Sequence, residues 1–422
     1  MIHLLWQKQI RLNFRVKEKY AVKLSDGASQ DGLFCDGDWI EKKDQDPNGA
    51  VRLIQLADIG VCEFKDKSSR YITEDKGIEL NCTYLQKGDI LIARLPEPLG
   101  RACIFPFEGK YITAVDIAIV RILRKGINPK YVMYMINSPQ FRNEIKKYES
   151  GTTRKRISRK NLDRIDFDVP PLPEQECIVT RIEELFSQLD SGAETLKKIK
   201  RQLAVYRQAA VTAAYPTLTE ENTCCLSELA EISGGITKGR RFEGSETVFL
   251  PYLRVANVQN GYLDLTEIKE IQLKKSEIEQ YLMHFGDVLY TEGGDRDKLG
   301  RGTIWRDEIE NCVHQNHVFK ARIDAEKALS LYVAYWSMTT PARNYFYTKG
   351  KQSVNLASIN KTVLSMLPIP LAPLDQQNNI VAEIESKLSV CDIIEKTVDT
   401  ALQQAEAMRQ SILKRAFEGG LL

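Results

Sequence analysis

The stretch PPLPEQECIVTRIEELFSQLD, residues 170–190, has a second version in the same chain, APLDQQNNIVAEIESKLSVCD at residues 372–392. Gln175 aligns with Gln377, which lies 202 residues further along. A constant offset over about forty residues indicates an internal repeat, the feature of a sequence that constrains its fold most strongly. The same offset relates Arg207-Gln208 to Arg409-Gln410 and Ala214-Tyr215 to Ala416-Phe417.

The repeat also includes the segments that precede these two stretches. Three pairs correspond at offsets of 198 to 200 residues: GDILIAR (88–94) with GDVLYTE (286–292), LGRA (99–102) with LGRG (299–302), and QLADI (55–59) with RVANV (254–258). The sequence therefore predicts two tandem copies of one unit, each a globular domain followed by a long helix. We place the first domain at residues 1–169 and its helix at 170–215, the second domain at 216–371 and its helix at 372–422.

The two long helices are predicted from apolar residues that recur at steps of three, four or seven. Pro173 and Glu174 favour a helix start in the first copy, Pro216 ends that helix, and Gly419-Gly420 ends the second. The length of the apolar seam predicts an intramolecular antiparallel coiled coil; the alternative is that each helix belongs to the core of a larger domain. The seam consists of Ile178, Ile182, Leu185, Leu189, Leu196, Ile199, Leu203, Tyr206 and Ala210, and then of Ile380, Ile384, Cys391, Val398, Ala401, Ala405, Met408 and Ile412.

The globular domains combine short β-rich runs with helical segments. The runs are bounded by Gly, Pro and Asp, as strands usually are: AVRLIQLADIG (50–60), GDILIARL (88–95), YITAVDIAIVRIL (111–123), LPYLRVANVQ (250–259) and HVFKARI (317–323). Residues 128–149 and 328–348 are predicted to be helical at equivalent positions of the two copies. The expected fold class is α+β, with two mixed domains and two long helices.

The composition indicates a globular protein. Of the 422 residues 43% are hydrophobic and 27% are charged, and the formal net charge is only +2, so any surface for nucleic acid must be local. No window approaches the ~20 apolar residues of a membrane span. The N-terminal MIHLLWQKQIRLNFRVK lacks the order of a secretory signal peptide, and nine irregularly spaced cysteines predict reduced thiols. We therefore expect a cytoplasmic protein.

Motifs of catalytic or cofactor sites are missing from the sequence. There is no phosphate-binding GxxxxGK[ST], and no GxGxxG follows a predicted strand. The motif DVPP at Asp168 is interpreted as a rigid entry to the helix, because its repeat copy PLAP has no acid. Cys312, His314 and His317 are close enough to suggest a metal site, but the first copy has no matching set. We expect a chain that is not catalytic alone and holds no metal or cofactor.

Basic residues cluster in segments that are predicted to be loops of both copies. GTTRKRISRKNLDR, residues 151–164, has a single acid among its basic residues, and KGRR and GGDRDKLGRG provide basic residues in the second copy. Arginine in a glycine-rich loop can contact phosphate and the edge of guanine; the alternative is an ordinary solvated surface. The candidate DNA-binding residues are Arg94, Arg101, Thr153, Arg154, Lys155, Arg156, Lys238, Arg240, Arg241, Arg296, Lys298, Arg301, Lys351 and Gln352.

The whole chain resembles the specificity subunits of type I restriction–modification enzymes. The resemblance rests on the helix openings PPLPEQECIVTRIEELF and APLDQQNNIVAEIESKL, on the ending RQSILKRAFEGGLL, and on LIQLADIG, GDILIARLPEPLGRACIF, YLRVANVQNGYLDL and GDVLYTEGGDRDKLGRG within the domains. It implies that each globular domain is a target recognition domain for one half of a bipartite DNA site. It also implies that the helices fix the gap between the half-sites.

The resemblance further implies partner subunits. Two methylation subunits and two motor-nuclease subunits would assemble around this chain and would carry S-adenosylmethionine, ATP and Mg²⁺. The helix entries LPEQE and LDQQN differ, so the two docking surfaces need not be equal. The alternatives are the specificity chain of a methylation-only or type IIB-like enzyme, and a coiled-coil scaffold that binds proteins rather than DNA. The candidate docking residues on the helices are Ile178, Ile182, Leu185, Leu189, Ile380, Ile384 and Leu388.

Overall fold

The computed structural model describes residues 20–28, 32–96, 98–241, 246–352 and 357–421. The chain divides into two compact units. The first unit is formed by Met1–Thr195 and Ala401–Leu422, and the second by Leu196–Thr400. Each unit therefore combines one globular domain with one part of each long helix, so the units are not simply consecutive copies of the repeat.

The domain of the first unit, called the first domain below, contains strands and short helices in alternation. In chain order they are β1 (Tyr20–Val22), α1 (Leu24–Ala28), β2 (Leu33–Asp36), β3 (Val51–Ile54), β4 (Arg70–Ile72), α2 (Glu74–Glu79), β5 (Ile90–Ala93), β6 (Ala102–Ile104), β7 (Tyr111–Thr113), β8 (Ile117–Arg121), α3 (Pro129–Asn137), α4 (Pro139–Lys147), α5 (Arg159–Leu162) and β9 (Phe167–Val169). The long helix α6 (Leu172–Ala214) follows.

A four-stranded antiparallel sheet with the order β2-β8-β5-β6 lies at the centre of the first domain. Ile90 and Ile92 of β5 belong to the core on the side of the helices, whereas Leu91 and Ala93 belong to the core on the other face. All four side chains are fully buried. Successive side chains of a strand point to opposite faces, so a strand covered on both faces has a continuous apolar sequence. A second sheet, β4-β3-β7, pairs β3 with β7 in parallel.

The domain of the second unit, the second domain, contains corresponding elements. They are β10 (Thr223–Cys225), α7 (Leu226–Leu229), β11 (Ala230–Ser233), β12 (Thr247–Leu253), β13 (Lys269–Lys274), α8 (Ile278–Tyr281), β14 (Val288–Thr291), β15 (Gly293–Gly294), β16 (Gly302–Ile304), β17 (Val313–His314), β18 (Val318–Ile323), α9 (Ser330–Trp336), α10 (Thr340–Lys349), β19 (Lys351–Gln352), β20 (Ala357–Ser358), α11 (Lys361–Ser365) and β21 (Pro368–Pro370). The long helix α12 (Leu374–Phe417) follows.

The sheets of the second domain repeat those of the first. The order β11-β18-β14-β16 corresponds strand for strand to β2-β8-β5-β6, and the parallel pair of β12 with β17 corresponds to β3 with β7. A small sheet, β15-β20-β19, is described only in the second domain. The predicted fold class, two mixed α and β domains that each precede a long helix, is confirmed.

Each helical segment predicted between the sheet and the long helix consists of two helices. In the first domain α3 ends at Asn137 and α4 begins at Pro139, and the hydroxyl of Ser138 accepts a hydrogen bond from the backbone N–H of Phe141. Proline has no N–H to continue α3, and serine is a good N-cap, so the chain restarts as a new helix. In the second domain Thr339 caps α10 in the same way.

The repeated GD dipeptide supplies a buried ion pair in each domain. Asp89 is 1% exposed, and Arg121 donates hydrogen bonds of 2.8 Å to each of its carboxylate oxygens. Asp287 is buried equally and receives hydrogen bonds of 2.9 and 2.8 Å from Arg322. A buried carboxylate without such a partner would cost several kcal/mol. Loss of either arginine would therefore destabilise its domain.

In the first unit the start of α6 packs against the end of α12. Ile178 and Ile182 of α6 share a hydrophobic core with Leu413 and Ala416 of α12 and with the first domain. The guanidinium of Arg409 forms an ion pair with Asp190 and lies 4.8 Å from the centre of the Phe186 ring. Residue numbers therefore rise along α6 in the direction in which they fall along α12, so the two helices run antiparallel here.

In the second unit the end of α6 packs against the start of α12. Lys200 forms an ion pair of 2.7 Å with Asp399, and Arg207 forms pairs of 2.6 Å with Asp392 and 3.1 Å with Glu395. The core of this unit contains Val211 of α6 and Tyr215, which directly follows α6, together with Val381 and Ile384 of α12. In both units the helices run antiparallel, as the seam predicted, but Ile199, Tyr206 and Met408 of the predicted seam are exposed.

The burial of the seam corrects part of the predicted docking set. Ile178 and Ile182 of α6 and Ile384 of α12 are at most 5% exposed and lie in the cores of their own units. They cannot contact another chain in this fold, because the domain that each helix carries already covers them. Leu185, Leu189, Ile380 and Leu388 are half-buried. Within the described ranges, no helix is both long and apolar enough to cross a membrane.

Candidate nucleic-acid interface

Four backbone segments of the first domain meet at one edge of its central sheet. Beyond β2 the N–H of Gly37 donates to the carbonyl of Ile117 at 2.8 Å, and beyond β5 the N–H of Arg94 donates to that of Asp116 at 3.0 Å. The carbonyl of Arg94 in turn accepts a hydrogen bond of 3.1 Å from Ile157. We call this surface the first loop edge; it consists of residues 36–39, 94–96, 98–101, 113–116 and 150–157.

The second domain has the same arrangement at the corresponding edge. The N–H of Asn316 donates to the carbonyl of Ile236 at 3.0 Å, and the N–H of Glu292 donates to that of His317 at 2.9 Å. The carbonyl of Glu292 accepts a hydrogen bond of 2.8 Å from Ile359, which corresponds to Ile157. We call residues 236–241, 292–301, 315–317, 351–352 and 357–359 the second loop edge. The structure therefore brings together most of the predicted basic residues of each domain.

A short hairpin presents the basic run of the first loop edge. Ser150 and Arg156 exchange two backbone hydrogen bonds of 2.9 Å. Gly151 has a φ of +94°, and a Cβ on it would lie 2.5 Å from the carbonyl oxygen of Arg154. The turn therefore needs glycine at this position.

The predicted residues of this hairpin differ in their exposure to solvent. Thr153, Arg154 and Arg156 are exposed, whereas Lys155 is half-buried and forms an ion pair of 2.7 Å with Glu149. An exposed guanidinium keeps its donors for an incoming phosphate or base. Arg154 and Arg156 are therefore better placed than Lys155 to contact DNA.

Two other predicted arginines of the first loop edge are used inside the domain. Arg101 donates to the carbonyl oxygens of Ile59 and Pro96 at 2.8 Å and to that of Leu56 at 3.1 Å, and partial burial lowers the pKa of its guanidinium. Arg94 donates to the carbonyl of Val115 and lies 3.4 Å from the Asp36 carboxylate. Three of the five N–H groups of Arg101 thus order the loop, and the sequence motif LGR gave no sign of this use.

Six of the eight predicted residues of the second loop edge fall into two groups. Arg296 and Lys298 lie after β14, where the Arg296 guanidinium is 4.5 Å from the ring centre of the exposed Tyr347 and Lys298 forms an ion pair with Asp295. Arg301 donates to the side-chain oxygen of Gln259.

The other group follows β11. Lys238 lies 5.5 Å from the centre of the Tyr252 ring, Arg240 forms an ion pair of 2.7 Å with Glu277, and Arg241 is exposed. Lys351 is exposed on β19, which pairs with β20. Gln352 is placed by the same backbone pairing, and only its backbone is described.

A further aromatic residue, which was not predicted, protrudes at the first loop edge. Trp39 is 71% exposed, and its neighbour Asp38 is anchored, since the N–H of Asp38 donates to the carbonyl of Thr113 at 2.8 Å. The Asp38 carboxylate accepts a hydrogen bond of 3.1 Å from the N–H of Thr83, and burial raises its pKa to about 6. An exposed aromatic ring on an anchored backbone can stack on a base.

Two half-buried arginines that sequence reasoning missed hold carbonyl groups of the loop edges. Arg142 of α4 donates to the carbonyl of Leu99 at 2.7 Å, and Arg343 of α10 donates to that of Asp297 at 2.9 Å. Burial lowers the pKa of both guanidinium groups to about 10. The signal was available, because an Arg-Asn pair occurs at 142–143 and again at 343–344 within the repeat.

Both histidines of the set that suggested a metal site, His314 and His317, contact other groups of the second domain. His314 is fully buried, its ring Nδ1 lies 2.7 Å from the carbonyl of Val318, and burial lowers its pKa to about 4, so the ring is neutral. His317 instead lies 2.6 Å from Glu292. Among the residues that the structure describes, no three His, Cys, Asp or Glu side chains are grouped so that they could hold a metal ion.

Comparison with known proteins identifies the family of this chain. The family model of the type I restriction modification DNA specificity domain matches twice, over residues 36–201 and 220–404. The StySPI specificity subunit of a type I restriction enzyme from Salmonella potsdam is 27% identical over 310 residues, which are 70% of this chain and 66% of that protein. The EcoKI specificity subunit from Escherichia coli (strain K12) is 26% identical over 306 residues, 69% of this chain and 65% of that protein. The matches thus span just under two thirds of the length of these relatives.

Solved structures share the fold over nearly the whole chain. A chain solved in a study of complex assembly and conformational transition of the type I R-M system gives a TM-score of 0.68 at 17% identity, and covers 96% of this chain and 100% of that one. The HsdS subunit from Thermoanaerobacter tengcongensis gives a TM-score of 0.50 at 16% identity over 95% and 97% of the two chains. The resemblance that was inferred from the repeats is confirmed: this chain belongs to the type I restriction modification DNA specificity family, and it carries two copies of that domain.

Proposed function

We propose that the chain is the DNA-specificity subunit of a type I restriction–modification complex, and that each domain reads one half of a bipartite target. The observation that carries this proposal is the duplicated loop edge. Arg154 and Arg156 are exposed on the first edge, and Arg241, Arg296 and Lys351 are exposed on the second. Two equivalent basic surfaces in one chain suit a target with two separate halves, and the family's domain is a DNA specificity domain.

The reading itself would come from side chains held on a rigid sheet edge. Arginine can donate two parallel hydrogen bonds to the O6 and N7 atoms of guanine, while lysine and backbone N–H groups contact phosphate. The pair of Arg296 and Tyr347 presents a cation and an aromatic face together. Arg101, Arg142 and Arg343 act indirectly in this proposal, because their donors hold loop carbonyls.

Catalysis in this proposal belongs to partner subunits, so the chain alone is not an enzyme. Two methylation subunits would carry S-adenosylmethionine, and two motor-nuclease subunits would carry ATP and Mg²⁺. The same features also fit the specificity chain of a methylation-only or type IIB-like enzyme. A protein-binding scaffold is a weaker candidate, because a scaffold gives no reason for basic residues at the same edge of both sheets.

The helices offer an exposed apolar surface on which a methylation subunit can dock. In the second unit Val205 and Tyr206 of α6 are 70% and 53% exposed, and Val390 and Ile393 of α12 are 54% and 64% exposed. Large exposed apolar patches usually mark interaction sites. The repeat-equivalent positions in the first unit are less apolar: Ala407, Met408, Gln188 and Ser191. The docking surface of the second unit should therefore bind its partner more tightly.

The unequal surfaces predict unequal effects of matched substitutions. Val205→Ser with Tyr206→Ser removes exposed apolar area from the second unit, and burying each such side chain contributes roughly 1.5–3 kcal/mol. We expect affinity for one methylation subunit to fall by at least about tenfold, with the fold unchanged because both side chains are exposed. The matched control is Ala407→Ser with Met408→Ser. Native mass spectrometry of the chain titrated with purified methylation subunit measures both; equal binding by the two variants would contradict the proposal.

Substitution of the first hairpin tests the DNA-reading role. In Arg154→Ala, Lys155→Ala, Arg156→Ala we expect weaker binding to target DNA, by roughly 1–3 kcal/mol for each residue that reads a base. A residue that meets only phosphate should instead lower the slope of log K against log salt by about one. Binding of the complete complex to labelled duplex is measured by titration at several salt concentrations.

A control for this triple variant lies at the opposite end of the same sheet. Lys87, Arg124 and Lys125 are exposed there, next to the start of β5 and the end of β8. Their triple alanine variant removes the same charge, so its effect measures long-range attraction alone. If the two triple variants bind alike in low salt, the hairpin is a solvated surface and the first loop edge is not the reading surface.

A further inference from the structure

A buried glutamine joins each long helix to its own domain. The side-chain oxygen of Gln175, in the first turn of α6, accepts a hydrogen bond of 2.8 Å from the backbone N–H of Asn128, which caps the start of α3. Its side-chain nitrogen donates to the carbonyls of Gly126 at 2.8 Å and Pro170 at 2.7 Å. Gln175 is fully buried, so one carboxamide connects the helix, the turn before it and the loop that precedes α3.

Gln377 makes the same three connections in the second unit. Its side-chain oxygen accepts a hydrogen bond of 2.8 Å from the N–H of Leu329, which precedes α9. Its side-chain nitrogen donates to the carbonyl of Ala372 at 2.8 Å and to that of Lys327 at 3.4 Å. The residue is again fully buried. The two units thus contain the same joint, built from repeat-equivalent residues.

The contacts explain why this position needs glutamine. Each carboxamide uses one acceptor and two donors, and only an amide side chain offers both on adjacent atoms. Glutamate could accept the first hydrogen bond with one carboxylate oxygen, but its other oxygen would then face two carbonyl oxygens to which it cannot donate. An apolar side chain would leave one N–H and two carbonyls without partners in a buried place, which costs free energy at each group.

We propose that Gln175 and Gln377 are positioning residues that lock the angle between each helix and its recognition domain, and so set the permitted gap between the half-sites. This inference rests on the proposed reading of bipartite DNA. Core packing alone would be served as well by methionine or leucine, whereas a fully hydrogen-bonded polar group selects one arrangement.

The length of the helices makes the angle at this joint important. Helix α6 has 43 residues and is therefore about 65 Å long at 1.5 Å per residue. A change of roughly 10° at one end displaces the other end by about 11 Å, which is the length of about three base pairs of DNA. If the angle at this joint varies by a few degrees more, the complex should accept a wider range of gap lengths, while the bases that each domain reads stay the same.

The test compares Gln377→Glu with Gln376→Glu, its exposed neighbour in the same turn of α12. Each variant is expressed as a full chain with its methylation subunit, and methylated adenines are mapped over a library of targets with gaps one to three base pairs longer or shorter. For Gln377→Glu we expect unchanged half-sites and a roughly tenfold rise in methylation of targets with the wrong gap, while Gln376→Glu keeps the wild-type gap. Gln175→Glu should act in the same way from the first unit.

Other outcomes separate this inference from the proposed function. A folded Gln377→Glu variant with the wild-type gap, or with lower methylation of every target and no change in gap preference, would show that the residue only stabilises the fold. If that variant does not fold, as judged by thermal unfolding, Gln377→Met is measured instead with the same expectation. A wild-type chain that directs no bipartite methylation would overturn the proposed function itself.

Discussion

Replacement of residues 217–370 by the equivalent domain of a relative is expected to change one half of the DNA target and to leave the other half unchanged. The physical reason is that the second loop edge belongs wholly to this segment, while the first loop edge lies in the first domain. The expected effect is complete, since the complex that contains the exchanged chain should methylate a new set of sites and leave the old set unmethylated. Sequencing that detects methylated adenine in cells with the exchanged chain would return both half-sites.

The structure specifies what the exchanged domain must keep. Tyr215 at the end of α6 donates its hydroxyl to the carbonyl of Tyr332, and the two rings lie 4.8 Å apart. The N–H of Leu329 and the carbonyl of Lys327 must also remain in place for Gln377. A donor domain with an aromatic residue at the position of Tyr332 should therefore dock on the helices with little strain.

The reciprocal exchange of residues 20–169 is the matched control for this experiment. It should change the other half-site and leave the half read by the second domain intact. If either exchange alters both half-sites, the two loop edges do not act as separate readers. An inactive hybrid that unfolds at a lower temperature than the parent indicates that the contacts of Tyr215 or Gln377 with the new domain are lost. The exchange is then repeated with a donor domain whose residues at these contacts are more similar to those of this chain.

The features that repeat could be predicted from the sequence, because a repeat constrains the fold twice. The offset of Gln175 to Gln377 located both long helices, and the short apolar run from Ile90 to Ala93 directly after Gly88-Asp89 is what made GDILIAR recognisable as a strand. The antiparallel pairing was inferred from the length of the apolar seam. These are patterns of side-chain type along one segment, and periodicity captures them well.

Features that depend on contacts between distant segments were missed. Ile182 was predicted to dock a partner subunit because of its spacing on the helix, but it is 0% exposed, since it lies in a core with the first domain. Arg101 looked like a DNA contact, but its donors meet carbonyls more than forty positions away in sequence at Ile59 and Leu56. No local pattern shows which arginine faces solvent, because the answer lies in the folding of other segments around it.

The longest-range prediction concerns the helices as the ruler of the target. Each of the two units keeps its own part of α6 and α12, and the parts meet at Thr195–Leu196 and Thr400–Ala401. Insertion of four residues at this boundary, between Thr195 and Leu196, lengthens α6 by about 6 Å and rotates the remainder of the helix by roughly 40° beyond a full turn. An insertion beyond Lys200 would instead shift that residue away from its ion pair with Asp399.

A matching insertion of four residues between Thr400 and Ala401 keeps the two helices in register, because every contact within each unit is then preserved. The apolar seam tolerates steps of three and four, so the added turn should join it with local unwinding. Since DNA rises about 3.4 Å per base pair, we expect the complex with the doubly lengthened chain to methylate the same half-sites with a gap one or two base pairs longer. The single insertion in α6 should act in the same direction with lower activity, because the register of one helix has shifted. Methylated-adenine mapping in cells carrying each chain measures the gap directly. An active enzyme with the original gap, or with new half-site sequences, would show that the distance between half-sites is set elsewhere than in these helices.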